Sequence, residues 1–528
     1  MIYLIPNWQQ NDDLHANRML HIVKLFEESQ MPATLLLPHL IPFSRYQAQD
    51  YHFNGTQVRL FDLLQNIMLQ EGAPLTLKDM GFDAPEMAFI YSFEGVLILQ
   101  NDQKIAQASY NAYGHISHVK RFVEEGFLVD VLDDRGFVSY RDYQDTRGET
   151  FQRDYFNELG EITLQEKMQD KVSRFYVTEK GNSKLTSKDG ASLESLLAEA
   201  IFHATEEKAS LLFEASPSLL GVAEYFRTSN RVYTILAGNR DLRKEPASEV
   251  AQLLYHPLTL ITDSFDKQDE ILAARKNLSL KNQSDIFVIP MYQTTLSLGN
   301  SNSVFQQWIY LRLGNLSPFA KKSCSLLFEK VFETENDSLI FEVSSEQNKK
   351  MLENVHRKWV DERFGIDSHS EDYLKVAHFL RAKADKQLFE HEEKAMTTLK
   401  KSPQWQELVA AYKVYQRLSY RVSPHPLQIV EDFRKVRLFV DTTEGKDFQS
   451  QAQAVSAGLP MLLRDNSYFL VPGVNGDVVN TEEELLSRVN AYLENLDLWN
   501  KSLVQNVELI ELYSTQSIAE IWKEVLSA

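Results

Sequence analysis

Residues 436–463, VRLFVDTTEGKDFQSQAQAVSAGLPMLL, contain the pattern that decides the fold class of this chain. An apolar strand is followed by a polar loop, a short helix of small residues that ends near Gly458, and a second apolar run. A strand, a helix and a strand in succession predict a parallel sheet, which presents helix N-termini and strand carboxyl ends to a ligand. The helix carries glutamines at 449, 451 and 453, where a working site would be expected to carry an acid.

The length and the charge of the chain limit its architecture and its partners. With 528 residues the chain is too long for one hydrophobic core, so two or three domains are expected. A net charge of −19 disfavours non-specific binding of nucleic acid and of anionic lipid. No nucleic-acid partner is therefore predicted.

The single cysteine and the lack of a long apolar run indicate a reducing environment and no membrane span. Cys324 has no second cysteine to pair with, and its amphipathic helix, 319–333, favours a packed thiol over a nucleophile. No run of 18 apolar residues occurs, so no transmembrane helix is expected. The opening residues, MIYLIPNW, have no basic flank and are interpreted as a strand rather than as a signal peptide.

Strands and helices alternate on both sides of residues 61–194. A strand at 2–5, a helix over 13–29 capped by residues 11–13, and a strand at 33–38 predict a βαβ unit. The alternation resumes with a helix at 193–204 and with strands at 209–215, 231–238, 258–263 and 285–290. Residues 1–60 and 195–300 are therefore predicted to form one N-terminal Rossmann-like domain.

The intervening residues 61–194 have a different sequence pattern. Glycines recur at 114, 126, 136, 148 and 160, between aromatic and β-branched segments at 127–132, 137–143, 150–156 and 162–168. Short strands separated by turn residues predict an antiparallel β-meander. The meander is predicted to be a separate domain that is inserted into the N-terminal one.

A second α/β series covers residues 301–505 and predicts a C-terminal Rossmann-like domain. Its strands are expected at 308–314, 339–345, 436–441 and 460–465, with a long helical stretch at 371–420. A final helix over 506–526 carries an apolar stripe. We expect the segment 506–528 to pack back on the first domain, and the two Rossmann-like domains to face a cleft.

Common catalytic motifs are missing from the sequence. It contains no GxxxxGK[ST], no GxGxxG after a strand and no GxSxG. His115 and His118 lack a third ligand, so neither a metal nor a cofactor is predicted. Trp8, directly after the first strand, could stack on a sugar, although a packed aromatic is the favoured interpretation.

Two segments resemble the donor site of retaining glycosyltransferases of the two-Rossmann (GT-B) type. GNLSPFAKK (314–322) is similar to the turn whose Arg and Lys bind donor phosphates in that family, with Asn315 in the place of the Arg and Lys321 or Lys322 in the place of the Lys. Glu444 begins an EG loop, and QAVSAGLPML (453–462) resembles the following helix. Gln453 stands where the family has the Glu that holds the donor ribose. The later GVNGDVVNTEEELLSRV (473–489) resembles the family's tail.

These substitutions should weaken the binding of a nucleotide sugar. Loss of the Arg removes a bidentate, charge-assisted partner of the phosphates, worth roughly 1.5–3 kcal/mol or more. The amide oxygen of Gln453 accepts hydroxyl hydrogen bonds more weakly than a carboxylate does. A helix N-terminus remains, which suits a polar or weakly anionic ligand.

The whole chain, from MIYLIPNW through the inserted meander to the degenerate second domain, resembles the family of first accessory secretory proteins of streptococci and staphylococci. The resemblance implies a cytoplasmic, non-enzymatic component of the accessory Sec system, acting with two other accessory secretory proteins. It implies that a glycosylated serine-rich-repeat adhesin is bound and delivered to the accessory Sec ATPase and its membrane channel. The meander resembles the polypeptide-gripping insert of the adhesin's O-GlcNAc transferase. Affinity for sugar, and for phospholipid at the inner face of the membrane, is also implied.

Three hypotheses therefore stand beside one another. In the first, the protein is a non-catalytic, glycosyltransferase-like adaptor. In the second, it is an active retaining GT-B glycosyltransferase that modifies the adhesin, with Glu444, Lys321 and Lys322 as donor ligands. In the third, it is an unrelated α/β scaffold.

Overall fold

The computed structural model describes residues 1–10, 12–15, 17–170, 172–186, 189–238, 241–256, 258–280, 284–385 and 396–527. The chain divides into two compact units, Met1–Met291 together with Ala519–Ala528, and Tyr292–Ile518. Within the described ranges, the first unit holds a seven-stranded and a nine-stranded sheet, and the second unit a six-stranded sheet.

The elements of the first unit are, in chain order, β1 (Ile2–Ile5), α1 (Arg18–Glu28), β2 (Ala33–Leu37), α2 (Ser44–Asp50), β3 (Thr56–Arg59), α3 (Leu60–Leu64), β4 (Met87–Ser92), β5 (Gly95–Gln100), β6 (Gln103–Tyr110), β7 (Ile116–Val123), β8 (Gly126–Leu132), β9 (Val138–Gln144), β10 (Thr150–Phe156), β11 (Ile162–Gln169), β12 (Val172–Val177), α4 (Leu193–Ala204), β13 (Ser210–Glu214), α5 (Pro217–Glu224), β14 (Arg231–Ile235), α6 (Ala247–Leu254), β15 (Thr259–Thr262), α7 (Phe265–Asn277) and β16 (Ile286–Val288).

The first sheet of this unit is parallel, in the order β16-β15-β14-β13-β1-β2-β3. Its strands are short and apolar, as expected for a parallel sheet covered by helices on both faces. Strands predicted at 2–5, 33–38, 209–215, 231–238, 258–263 and 285–290 are confirmed, whereas β3 was not foreseen.

The first helix begins later than the sequence predicted. Asn17 caps α1, with its Oδ1 accepting the backbone N–H of Leu20 at 3.3 Å. The two aspartates expected to cap the helix instead close turns before it. Asp12 accepts the N–H of Gln9 at 2.8 Å, and Asp13 accepts that of His15 at 3.0 Å. The third expected cap residue, Asn11, lies outside the described residues.

The meander is one continuous antiparallel sheet, with β4 to β12 paired in sequence order. The four segments predicted as strands form β8 to β11. The recurring glycines are at or beside the hairpin turns. At Gly126, φ is +142°, and a Cβ would lie 2.1 Å from the carbonyl oxygen of Gln144, so only glycine fits.

A buried ionic network, here called the anchor cluster, joins the β8–β9 hairpin to the parallel sheet's helices. Its members are Arg45, Arg59, Asp62, Asp133, Asp134 and Arg135. Arg135, whose side chain is fully buried, lies 2.7 Å from Asp133 and 2.9 Å from Asp62. Arg45 Nε donates to Asp134 at 2.8 Å. Three guanidinium groups thus face three carboxylates, and the meander is fixed to α2 and α3.

The second unit contains a parallel sheet in the order β19-β18-β17-β20-β21-β22. Its elements are, in chain order, β17 (Gln307–Gly314), α8 (Pro318–Glu333), β18 (Asp337–Val343), α9 (Glu346–Phe364), α10 (Glu371–Ala384), α11 (Trp405–Tyr415), β19 (Leu418–Val422), α12 (Pro426–Phe433), β20 (Val436–Asp441), α13 (Phe448–Ser456), β21 (Met461–Leu463), β22 (Gly476–Val478), α14 (Glu482–Glu494) and α15 (Leu496–Leu512); α16 (Thr515–Ser527) follows. The predicted α/β class, with two Rossmann-like parallel sheets and an inserted antiparallel meander, is confirmed.

The predicted helical stretch 371–420 is wrong at its end. Residues 371–384 and 405–415 are helical, but 418–422 form β19, which pairs in parallel with β18. The sequence LSYRV completes the sheet edge, and Arg421 there donates to both carboxylate oxygens of Asp432. Residues 386–395 of the predicted stretch lie outside the described residues.

The predicted final helix, 506–526, consists of two helices rather than one. α15 ends at Leu512, and the Oγ of Ser514 caps α16 by accepting the N–H of Ser517 at 3.2 Å. Beyond Ile518, α16 belongs to the first unit. There Trp522 is buried edge-on against Phe26, and the hydroxyl of Tyr233 donates to the carbonyl of Val525 at 3.2 Å. None of the described helices combines the length and apolar composition that crossing a bilayer requires.

Candidate donor-type site in the second unit

The segment after β17 forms a tight turn that leads into α8. Gly314 and Leu316 adopt positive φ angles of 54° and 57°. Ser317 caps α8 by accepting the N–H of Ala320 at 3.2 Å. A Cβ at Gly314 would lie 2.8 Å from a methyl group of Thr443, so the turn sits directly beside the loop after β20. Both segments that resemble a donor site therefore meet at the carboxyl end of this sheet.

Asn315 lies at the tip of this turn in a neutral hydrogen-bond group. Its Oδ1 accepts from the hydroxyl of Ser344, which follows β18. The same hydroxyl accepts from the side-chain amide of Asn348 at 3.2 Å. The residue that stands in the place of the phosphate-binding Arg is thus held by a hydroxyl and an amide, without a positive charge.

The two candidate lysines differ in their surroundings. Lys321 is exposed on α8. Lys322 Nζ lies 3.2 Å from Glu482 and 2.9 Å from Glu483, in the first turn of α14. The hydrogen bonds that Lys322 donates to these two carboxylates raise its pKa. Its charge is therefore neutralised by α14.

The other two sequence candidates lie on the β20–α13 segment. Glu444 is exposed in the loop. Gln453 is half-buried on α13, and its Oε1 is buried with no hydrogen-bond partner among the described residues. The amide therefore has an unused acceptor at the position where the resembled family carries a carboxylate.

A group that the sequence analysis missed, here called the carboxylate cluster, lies between these segments. Its members are Arg312 on β17, Glu342 on β18, Asp441 at the end of β20 and Asp447 before α13. Arg312 lies 3.0 Å from Glu342 and 3.4 Å from Asp441, and its Nη1 also donates to Asp447. Glu342 further accepts from the hydroxyl of Tyr310 at 2.7 Å.

Negative charge is in excess in the carboxylate cluster, because three carboxylates share one guanidinium. Burial alone would lower the pKa of Arg312, but Asp447, Asp441 and Glu342 outweigh it, so the pKa is raised and Arg312 stays charged. Burial raises the pKa of Glu342 and of Asp441, although Arg312 opposes the shift in both. A diphosphate brought here would meet a guanidinium that already pairs with three carboxylates.

A signal for this cluster is present in the sequence. Three neighbouring apolar strands each carry one charged residue near the carboxyl end, namely WIYLRLG, LIFEV and VRLFVD. In a parallel sheet those ends lie at the same edge, so single charges in such strands are brought together. The charge of Asp447, in the following loop, could not have been assigned to the group in this way.

The sequence candidate in the first unit, Trp8, is not open to a ligand. Its side chain is 5% exposed, and its Nε1 donates to Oδ1 of Asn17 at 3.0 Å. The ring therefore packs beside the start of α1, and the stacking face proposed for a sugar is covered by protein.

Cys324, His115 and His118 each contact neighbouring side chains. The Cys324 thiol is buried 3.5 Å from Nε2 of His356, and burial raises its pKa, which disfavours the reactive thiolate. His118 hydrogen-bonds Ser117, and the ring of His115 packs against Tyr46. Across the described ranges, no three His, Cys, Asp or Glu side chains are grouped so as to hold a metal ion.

Comparison with known proteins agrees with this architecture. The family model of accessory secretory protein 1, a protein of the accessory Sec system, matches residues 3–528. The chain belongs to this family. It is 22% identical to the corresponding accessory Sec system protein of Streptococcus gordonii, over 99% of this chain and 95% of that protein.

Solved structures support the same fold. One is the accessory secretory protein 1, 2 and 3 structure from Streptococcus pneumoniae, with a TM-score of 0.71, 18% identity, and coverage of 100% of this chain and 99% of that chain. Another is the pneumococcal O-GlcNAc transferase GtfA in complex with UDP and GlcNAc. It has a TM-score of 0.68 and 10% identity, and covers 100% of this chain and 98% of that chain. The family member therefore has the predicted GT-B-like fold.

Proposed function

We propose that this member of the accessory secretory protein 1 family is a non-catalytic, glycosyltransferase-like adaptor of the accessory Sec system. It binds a glycosylated serine-rich-repeat adhesin together with two other accessory secretory proteins. It then delivers the adhesin to the accessory Sec ATPase and channel. We further propose that it acts in the cytoplasm and at the inner face of the membrane, where phospholipid contributes to recruitment.

The charge balance of the donor-type site carries the non-catalytic part of this proposal. A nucleotide diphosphate needs positive charge, and bidentate Arg contacts are the strongest that proteins supply. Here Asn315 replaces such an Arg, Lys322 is paired with Glu482 and Glu483, and Arg312 is shared by three carboxylates. Asn315, Lys321, Lys322, Glu444 and Gln453 are accordingly interpreted as remnants of a donor site. Trp8 is omitted from the sugar-binding surface because its ring is buried.

The domain organisation that underlies the proposal keeps its sequence-derived boundaries. We propose that residues 1–60 and 195–300 form the N-terminal Rossmann-like domain, 61–194 the inserted meander and 301–505 the C-terminal domain, and that 506–528 packs back on the first domain. Residues 506–518 belong to the second compact unit. The return of Ala519–Ala528 to the first unit supports the last assignment.

The alternative, an active retaining glycosyltransferase that acts on the adhesin, has one observation in its favour. Lys321 and Glu444 are both exposed and lie on the two segments that resemble a donor site.

Titration calorimetry with UDP-GlcNAc and with UDP-glucose separates the two functions. The adaptor proposal expects no binding at up to millimolar donor, because the phosphates would enter a site with excess negative charge. Micromolar binding, accompanied by transfer of sugar to adhesin repeats, would establish the alternative. The O-GlcNAc transferase GtfA, titrated under the same conditions, is the positive control.

A further inference from the structure

The edge strand β4 of the meander is apolar and open. Its sequence is MAFIYS, and it is the last strand on its side of the nine-stranded sheet. Ile90 is 53% exposed, Tyr91 is 70% exposed, and Phe93, in the turn that follows, is 97% exposed. Among the described residues, none forms a backbone hydrogen bond with the outer side of Ala88–Ser92. The strand thus presents unpaired amide groups beside large apolar side chains.

The usual protections of an edge strand are missing from β4. Proteins protect such edges with lysine, proline, a bulge or a covering segment. β4 contains neither lysine nor proline, and it has no bulge because it pairs with β5 in unbroken register. The opposite edge, β12, differs: it carries Arg174, and Ala191 pairs with Phe175 on its outer side. Among the described residues, the β12 edge of this sheet is paired at one bridge, whereas the β4 edge is open.

The residues before and after β4 in the sequence carry charge of one sign. Residues 79–103 contain no Lys or Arg and carry the acids Asp79, Asp83, Glu86, Glu94 and Asp102. Glu86 and Glu94, which flank the strand, are both exposed. A strand that pairs here therefore meets an apolar centre with negative charge at both ends.

A second copy of the chain fits this edge poorly. Antiparallel pairing of two β4 strands centred on Ile90 would set Glu86 of one copy opposite Glu94 of the other, at both ends. Like charges directly opposite each other destabilise a strand pair. A strand with basic residues at its ends would gain attraction at the same two positions.

We propose that β4 is the docking edge for a β-strand of a partner protein, a strand with an apolar centre flanked by lysine or arginine. Main-chain hydrogen bonds would extend the nine-stranded sheet, and Ile90, Tyr91 and Phe93 would be covered by the partner's side chains. The inference rests on the proposed function, because the partner is one of the two other accessory secretory proteins with which the chain acts.

The test compares Ile90→Lys with Val172→Lys in the full chain. Val172 is 52% exposed on the opposite edge strand, so it matches Ile90 in exposure and in the change of side chain. Each variant is co-expressed with the two partner proteins of the same organism, and the dissociation constant is measured on the purified components. We expect about a tenfold or greater loss of affinity for Ile90→Lys and none for Val172→Lys. Hydrogen exchange of the unsubstituted chain should slow at residues 88–92 on complex formation.

The outcomes distinguish the inference from the function on which it rests. Unchanged affinity of Ile90→Lys, or exchange at 88–92 that does not slow in the complex, would overturn the docking edge and leave the adaptor function intact. If the chain alone dimerises at higher concentration, and Ile90→Lys abolishes the dimer, then a second copy of the chain occupies the edge of β4. That result would overturn the inference. An unsubstituted chain that does not bind the partners at all would count against the proposed function and remove the inference with it.

Discussion

The anchor cluster and the carboxylate cluster are both buried ionic groups at the ends of strands, yet their charge balance differs. In the anchor cluster, Arg45, Arg59 and Arg135 face Asp62, Asp133 and Asp134. In the carboxylate cluster, the guanidinium of Arg312 pairs with three carboxylates, those of Glu342, Asp441 and Asp447. A balanced group can repay the desolvation of its charges, whereas one with excess carboxylate cannot do so fully. We infer that the first group holds the meander in place and that the second repels anions.

The largest expected effect comes from breaking the balanced group. Arg135→Met would leave Asp133 and Asp62 buried without their main partner, which should lower the free energy of unfolding by about 3–5 kcal/mol. Arg147→Met is the matched control, because Arg147 pairs with Asp145 across an equivalent hairpin turn but is 82% exposed. Urea unfolding of both variants measures the difference. Equal urea midpoints for the two variants would show that burial of the anchor cluster contributes nothing to the free energy of unfolding.

The second largest effect is expected from a cation added beside the carboxylate cluster. Asn315→Arg combined with Gln453→Glu should raise affinity for UDP-GlcNAc roughly 10- to 100-fold, because a bidentate phosphate contact and a carboxylate acceptor are restored. Asn315→Arg combined with Gln449→Glu is the control, since it adds the same charges with the acid at a neighbouring position on α13. Calorimetric titration reports both. No gain in the first variant would argue against any usable donor pocket at this sheet.

The smallest effect comes from relieving the excess charge. In Glu342→Gln, the amide oxygen can still accept from Arg312 and the amide nitrogen can donate to Tyr310, so stability at pH 7 should be unchanged or up to about 1 kcal/mol higher. Because burial raises the pKa of Glu342 above its usual 4.5, its protonated form stabilises the fold, and this stability is lost as pH rises through the raised pKa.

The variant's advantage over the unsubstituted chain should therefore grow from pH 4.5 to pH 7, as chemical unfolding at several pH values would report. Asp133→Asn is the comparison in the balanced group, and it should destabilise the fold at pH 7 because it weakens the partner of Arg135. A variant of Glu342 that loses stability as Asp133→Asn does would contradict the distinction between the two clusters.

The sequence predicted the sheets well because their signals are local. Apolar runs such as IYLI and VRLFV, and glycine-spaced hairpins, report a strand from a few adjacent residues. The resemblance to the GT-B family added the order of these parts. The Asn17 cap, β19 and the break at Ser514 were missed, because each depends on a tertiary contact or a competing cap rather than on periodicity.

The candidate site was predicted less completely, for a physical reason. Asn315, Lys322, Glu444 and Gln453 were found from their motifs, but a motif does not reveal what each side chain contacts. Arg312, Glu342, Asp441 and Asp447 are separated by up to 135 positions and meet only when β17, β18 and β20 pair. The burial of Trp8 likewise follows from packing beside α1, which no single stretch of sequence records.

The return of Ala519–Ala528 to the first unit has a consequence for biosynthesis. Trp522 fills a place in the interior beside Phe26, and Arg231 donates to the carbonyl of Leu526 at 2.7 Å. On the ribosome, these contacts cannot form until all of residues 292–518 have been synthesised. The N-terminal half therefore lacks the Trp522 contact with Phe26 until the C-terminal residues emerge. A chain truncated before Ala519 would lack the indole that packs against Phe26 and the carbonyl that accepts from Arg231, so a defect in the last residues would be felt in the first domain.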